Sequence, residues 1–405
     1  MVQKIVKKTI VVETVRTFKQ SMLSLSFNLG GILAGTLLAL YLDMFSLTPW
    51  TLIIYPGILS IRGTIGGLFS GRLSTGLHLG TMRTCFYGNT RNFYLLWHEI
   101  IVLTLESSVV MGLGASLFSV FLLRITTLDF IAILSIIIAT MGISIVFISP
   151  ITVAISFLSF KSGLDPDVIV YPVEATVADV LVTVSYIMVL NTFFPLSRSG
   201  YYLIGLLDLV FLCFVLYILF RDTKERSFAK TIEETLLTLL LVTFVVNVTG
   251  SLLGKISEVA GRRREIYVMY PAIINNIGSV GSIVGSTATT KLALGTIKPS
   301  FTSIKYHLTE IVGAWMASLT MFTLFSVTSF LIQPIFSISK LLRFMTLFYT
   351  TNFPAVLSIV IIAYVVAIVT YRRGFDPDNF VIPIESSLAD AVTTFSLFIA
   401  IQTIG

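Results

Sequence analysis

Long apolar runs follow one another along this chain with only short polar breaks between them. A helix needs ~20 apolar residues to cross the ~30 Å hydrocarbon layer of a bilayer. Eleven segments meet that length, near residues 20–42, 51–80, 97–122, 128–160, 168–194, 200–220, 230–257, 266–296, 307–332, 347–371 and 379–404. The predicted fold class is an all-α integral membrane protein with about 11 transmembrane helices. Several runs exceed the minimum, so tilt, breaks or extensions beyond the lipid are expected. Outer-membrane barrels alternate apolar and polar residues in ~10-residue strands, and that alternation does not occur in this sequence.

The pattern repeats. LDPDVIVYPVEATVADVLVTVS, Leu164 to Ser185, returns as FDPDNFVIPIESSLADAVTTFS, Phe375 to Ser396, with Asp165/Asp376, Asp167/Asp378, Glu174/Glu385 and Asp179/Asp390 among the identities. The stretch Tyr55 to Thr81 returns as Tyr270 to Thr296, and Glu99 and Glu310 each open the span that follows. Spans 1–5 therefore recur as spans 7–11, and span 6 is a linker. The predicted organisation is a cytoplasmic amphipathic segment over 1–19, a five-helix repeat over 20–196, a linker helix over 197–228 and a second repeat over 229–405. Five spans plus one linker start both repeats on the same side. They are then parallel, related by a pseudo-two-fold axis along the membrane normal, whereas an inverted repeat needs an even-numbered linker.

Composition adds to this picture. The chain is 55% hydrophobic and 12% charged, with a mean hydropathy of +0.94, against about 25% charged residues in soluble domains. The net charge of +6 is spread over loops, as topology requires, and does not indicate nucleic-acid binding. Of 27 Lys and Arg residues, 16 fall in segments that an N-inside orientation makes cytoplasmic, 8 fall outside and 3 lie within spans. The expected topology is N-terminus cytoplasmic and C-terminus external in a cell membrane, with Arg262, Arg263 and Arg264 dissenting. The first 20 residues lack the apolar core of a cleavable signal. Cys85 and Cys213 are expected to be free thiols.

The candidate chemistry lies in spans 5 and 11. Asp179 is 12 residues beyond Asp167, roughly 18 Å along a helix, which puts it near the bilayer centre, and Asp390 sits at the same depth. An ionisable group there is costly and is by default a functional candidate. Thr176 and Thr183 share the face of Asp179, as Ser387 and Thr394 share that of Asp390. Two carboxylates brought to the symmetry axis repel unless a cation lies between them. Oxygen ligands suit a hard ion such as Mg²⁺, which is held through one or two carboxylates and retained waters. The bland alternative is that each Asp caps or bonds a neighbouring helix.

Other acids are less clear-cut. Glu174 and Glu385 lie five residues before those aspartates, off their face, and either line a vestibule or bond a neighbouring span. Asp165, Asp167, Asp376 and Asp378 fall at the cytoplasmic mouth, where helix capping is the favoured reading. Gly63, Thr64, Gly278 and Ser279 sit in glycine-rich stretches of spans 2 and 8, which allow either close packing or a broken helix offering carbonyls to an ion. Glu99 and Glu310 form a second symmetric acid pair. Glu106 and Asp208 have no counterpart, and each is either part of a coupling-ion site or satisfied by Arg72 or another neighbour. No H-E-x-x-H, G-x-S-x-G or P-loop motif is present, so an enzyme is not predicted.

Pro56, Gly63 and Arg72-Leu73-Ser74-Thr75 in span 2, followed by Asp165–Asp167, Pro172 and Asp179, resemble the MgtE magnesium transporters. The second copy carries the resemblance on Pro271, Gly278, Thr290, Asp376–Asp378, Pro383 and Asp390. The likeness is closest to the two-repeat branch, solute carrier family 41, and covers essentially the whole chain. It implies two five-span units around a central pore, with the family's pore aspartate falling on Asp179 and Asp390. It implies Mg²⁺ as the transported ion, with sodium-coupled export and channel-like flux both open. One chain then holds both units, so a monomer suffices. The family's span-2 Gly-Asn is here Gly63-Thr64 and Gly278-Ser279, and the N-terminal and CBS sensing domains of bacterial MgtE have no match. The rival readings are a transporter for Co²⁺, Mn²⁺ or Ca²⁺, and a membrane-embedded metal-dependent enzyme acting on a lipid phosphate.

Overall fold

The computed structural model describes residues 2–45, 48–162, 166–195, 197–260, 263–293, 295–331, 337–374 and 378–404. Asp165 and Asp376 lie outside the described residues. Among those described there is no strand, only helices: α1 (Val2–Ser26), α2 (Gly31–Leu40), α3 (Leu42–Phe45), α4 (Pro49–His78), α5 (Arg91–Leu123), α6 (Thr127–Lys161), α7 (Pro166–Phe193), α8 (Ser197–Asp222), α9 (Arg226–Ala260), α10 (Arg264–Ala293), α11 (Leu308–Leu331), α12 (Ile338–Arg372) and α13 (Asp378–Ile404). Among the described residues, eleven helical stretches are long and apolar enough to cross a membrane, the number the apolar pattern predicts. The first joins α1 to α2 through a 3₁₀ turn at Phe27–Gly30.

Local chemistry sets the ends. Pro49 occupies the first turn of α4, where its missing N–H costs nothing. Thr126 and Asp129 cap each other at the start of α6, and the Trp50 indole N–H also reaches Asp129, at 3.3 Å. The repeat is visible in helix lengths: α4 and α10 have 30 residues each, and α6 and α12 have 35 each.

The chain forms two compact units, residues 37–254 and residues 1–36 with 255–405. In the first, α7 packs on α4 and α6; in the second, α13 packs on α10 and α12. These units are not the two sequence repeats, because the first span of each repeat is exchanged. Gly35, on the first span, sits so close to α10 that a methyl group there would overlap the Val268 carbonyl. Its counterpart Gly250, on α9, meets the Ile53 carbonyl of α4 in the same way. Glycine at both places lets the backbones touch.

Residues 2–26 form one unbroken helix, α1, which packs along α11, where Thr14 and Thr17 lie against Gly313. Small side chains on both faces allow that contact. The linker helix α8 is the span least covered by protein. Cys85 and Cys213 are both free, and Cys213 is exposed on α8.

Candidate cation site

Asp179 lies midway along α7, 13 residues from Pro166 and 14 from Phe193. Its side chain is buried, with 1% exposure. Facing it from α4 is Arg62, itself 5% exposed, whose Nη2 donates to Asp179 Oδ1. The other arm of the same guanidinium, Nη1, lies 3.8 Å from Glu174 Oε2. The fork therefore brings together two acids that helix periodicity places on different faces. Neither Glu174 oxygen has a hydrogen-bond partner. Glu174 lies directly over Gly66, where an added methyl would come within 2.5 Å of Oε1.

A small cavity of about 20 Å³ adjoins this cluster, lined by Arg62, Gly66 and Glu174 together with Thr104 and Ser144. That volume holds roughly one water. A methyl group at Gly63 would meet nothing within 4 Å, so the surface of α4 beside Arg62 is open.

The second unit reproduces part of this geometry. Asp390 lies 12 residues from Asp378 and 14 from Ile404 on α13. Glu385 is buried over Gly281 as Glu174 is over Gly66, and the Ser282 hydroxyl bonds its carboxylate. The residue at the position of Arg62 is Ile277, so the guanidinium has no equivalent there.

The hydroxyls flanking the aspartates have structural partners. Thr183 donates to the Asp179 carbonyl at 2.6 Å and contacts the Tyr55 hydroxyl at 2.9 Å. Thr394 repeats this with the Asp390 carbonyl at 2.7 Å and Tyr270 at 2.9 Å. Each threonine ties the acid-bearing helix to the glycine-rich one. Thr176 is half-buried and Ser387 fully buried.

The glycine-rich stretches do not break. Helices α4 and α10 run continuously through Gly63-Thr64 and Gly278-Ser279, so the carbonyls there belong to the helical ladder rather than being offered to an ion. The Thr64 hydroxyl donates to the Ser60 carbonyl at 3.1 Å and that of Ser279 to the Asn275 carbonyl at 2.8 Å. A methyl group at Gly278 would sit in ordinary contact with Ala389, one residue before Asp390, at 3.7 Å.

Glu99 and Glu310 each have a base. Arg72 Nη1 donates to Glu99 Oε2 at 2.8 Å and to Thr231 at 3.1 Å. Lys291 Nζ donates to Glu310 Oε1 at 2.6 Å. Arg72 is thus spent on Glu99 and Thr231, not on Glu106 or Asp208. Asp208 accepts from the Ser135 hydroxyl, and Glu106 Oε2 is buried without a hydrogen-bond partner.

Sequence reasoning missed the partner of Asp179. The signal was present: a lone arginine in an apolar span must find a counter-charge. Among the described residues, no three His, Cys, Asp or Glu side chains cluster closely enough to hold a metal. The donor set is carboxylates in pairs with nearby hydroxyls, a chemistry that suits a hydrated hard cation better than a tightly caged one.

Eleven candidate spans carrying acids at mid-helix define a polytopic membrane protein with a candidate functional site inside its spans. The chain belongs to the MgtE family, described as divalent cation transporters, and matches it over residues 55–189 and 270–400. Those two stretches cover the second to fifth span of each repeat. The chain is also 21% identical over 364 residues to solute carrier family 41 member 3 of Rattus norvegicus, across 85% of this chain and 77% of that protein. No solved structure matches it. It is a multi-pass membrane transporter of divalent cations and not an enzyme.

Proposed function

We propose that the transported ion is Mg²⁺ and that Asp179 and Asp390 each lend a carboxylate to its path. The observation carrying this is the duplication of a mid-helix acid on α7 and α13, each five residues beyond a buried glutamate and each followed by the same Tyr–Thr contact. One or two carboxylates with retained waters are the ordinary protein ligands of Mg²⁺. The two repeats are taken as parallel, with the N-terminus cytoplasmic and the C-terminus external. A single chain carries both acids, so a monomer is sufficient, which light scattering on transport-competent protein tests. Coupling to Na⁺ or H⁺ is assigned to Glu106, an acid with no counterpart in the second half.

The deciding experiment is Mg²⁺ flux into liposomes containing the purified protein, with Co²⁺, Mn²⁺ and Ca²⁺ as competitors. Asp179→Asn and Asp390→Asn should each cut flux sharply with normal expression. Near-native flux in the double variant sinks the proposal.

A further inference from the structure

The two halves differ most at Arg62. A permanently charged guanidinium, 5% exposed, fills the seat at Asp179. The counterpart position holds Ile277. A merely structural counter-ion has no need of a second acid in reserve, yet one is present. Glu174 is 1% exposed, lies 3.8 Å from the other arm of Arg62, and has no hydrogen bond on either oxygen. A shift of about 1 Å turns that contact into a charge-assisted hydrogen bond of ordinary length. Space for the shift exists in the cavity that Arg62 and Glu174 share with Thr104 and Ser144, and the surface at Gly63 beside it is open.

We propose that Arg62 is a specificity-determining residue, a tethered cation that competes with the transported ion for Asp179 and moves onto Glu174 when a divalent ion takes its place. The inference rests on the reading of Asp179 and Asp390 as cation ligands. Its consequence is discrimination by charge. Any ion entering at Asp179 must first replace a +1 group already there. A monovalent ion gives back no more Coulomb attraction than the guanidinium it displaces, and it must shed water as well. A divalent ion doubles the attraction against the same displaced guanidinium, and Mg²⁺ avoids the full dehydration cost by keeping much of its water shell. Glu174 lowers the cost of displacement by accepting the guanidinium, so the buried charge of Arg62 is never left alone. Because the second half carries Ile277, this exchange is confined to one half of the molecule.

Two variants test the idea in opposite directions, read by Mg²⁺ binding to the purified full chain and by Mg²⁺ flux in liposomes at low and high K⁺. Arg62→Ile, which copies the second half, removes the competitor. Its apparent Mg²⁺ affinity should rise about tenfold, a size common for coupled sites, and K⁺ should now inhibit Mg²⁺ binding where it does not in the native chain. Glu174→Gln removes the reserve seat and leaves the Arg62–Asp179 pair intact. Its apparent affinity should fall about tenfold, with K⁺ still excluded. If both variants bind Mg²⁺ as the native chain does and still ignore K⁺, the inference is overturned. If Arg62→Ile does not fold, Glu174→Gln decides alone, and native affinity in it is the refuting result. Asp390→Asn separates the two levels of the argument. Lost binding in Asp390→Asn beside native behaviour in the other variants overturns only the role of Arg62. Native binding in Asp390→Asn overturns the reading of the aspartates themselves.

Discussion

The acid pair Glu99 and Glu310 offers a test by transplantation. Both are closed by a base on the preceding span, but the base is not at the same position. Arg72 corresponds to Thr287, and Lys291 corresponds to Gly76, so the cation has moved one helical turn while reaching the same acid. Arg72→Ala leaves Glu99, whose side chain is 8% exposed, without its partner, while the Arg72 side chain is 42% exposed. Breaking a fully buried pair costs about 3–5 kcal/mol and an exposed one about 0–1 kcal/mol. The half-exposed arginine places this pair between them, at about 2 kcal/mol. For a unit the size of residues 37–254, about 2 kcal/mol lowers the melting temperature by roughly 4–8 °C. Adding Gly76→Lys to Arg72→Ala puts an ammonium where the second half carries it. The nearest atoms to the new Cβ all belong to the flexible Met82 side chain, at 2.6–2.9 Å, which must swing aside, and lysine is the better helix former. The double variant should regain at least half the loss in a thermal melt of the detergent-purified protein. Melting of Arg72→Ala within about 1 °C of native, or no recovery in the double variant, would show that Glu99 does not depend on a base from that helix.

Three further outcomes are expected. Gly66→Ala and Gly281→Ala each push a methyl into a buried glutamate. They should cost about 1–3 kcal/mol by overpacking, and a melt unchanged in both would contradict the close approach. Cysteines placed at Lys161 and Arg373 should label from the same side of the membrane if the repeats are parallel, and labelling from opposite sides refutes that arrangement. Mg²⁺ flux should respond to an imposed Na⁺ or H⁺ gradient in the native chain and lose that response in Glu106→Gln. Flux blind to both gradients marks an uncoupled pathway, and a response surviving in the variant moves attention to Asp208.

The apolar pattern made the eleven spans legible, and the repeat made the matched acids legible, because both depend on local sequence alone. The partnerships were harder. Periodicity put Glu174 and Asp179 on different faces of α7, but an arginine fork on a long stem reaches both, so a face argument built on short side chains fails there. Arg72 and Lys291 do the same job one turn apart, which a residue-by-residue alignment of the repeats hides. The glycine-rich stretches allowed either close packing or a broken helix, and at Gly66 and Gly281 it is packing: Glu174 and Glu385 occupy the space that a side chain there would need. The partner of α1 was not legible either, since nothing in a charged, mixed stretch read as lying on the membrane face says which distant helix will cover it.

That last contact sets an order of events during synthesis. Helix α1 ends at Ser26, and its partner α11 begins at Leu308. At about 5–20 residues per second, the first span leaves the ribosome roughly 15–60 s before the surface it packs on exists. The unit of residues 37–254 is continuous in the chain and can close as soon as α9 is inserted. The other unit can close only when the last helices arrive. A nascent chain stalled before α10 therefore holds one finished unit and one orphaned helix, whose glycine and threonine contacts are still unmet. That species is the one a membrane chaperone or quality-control protease would encounter first.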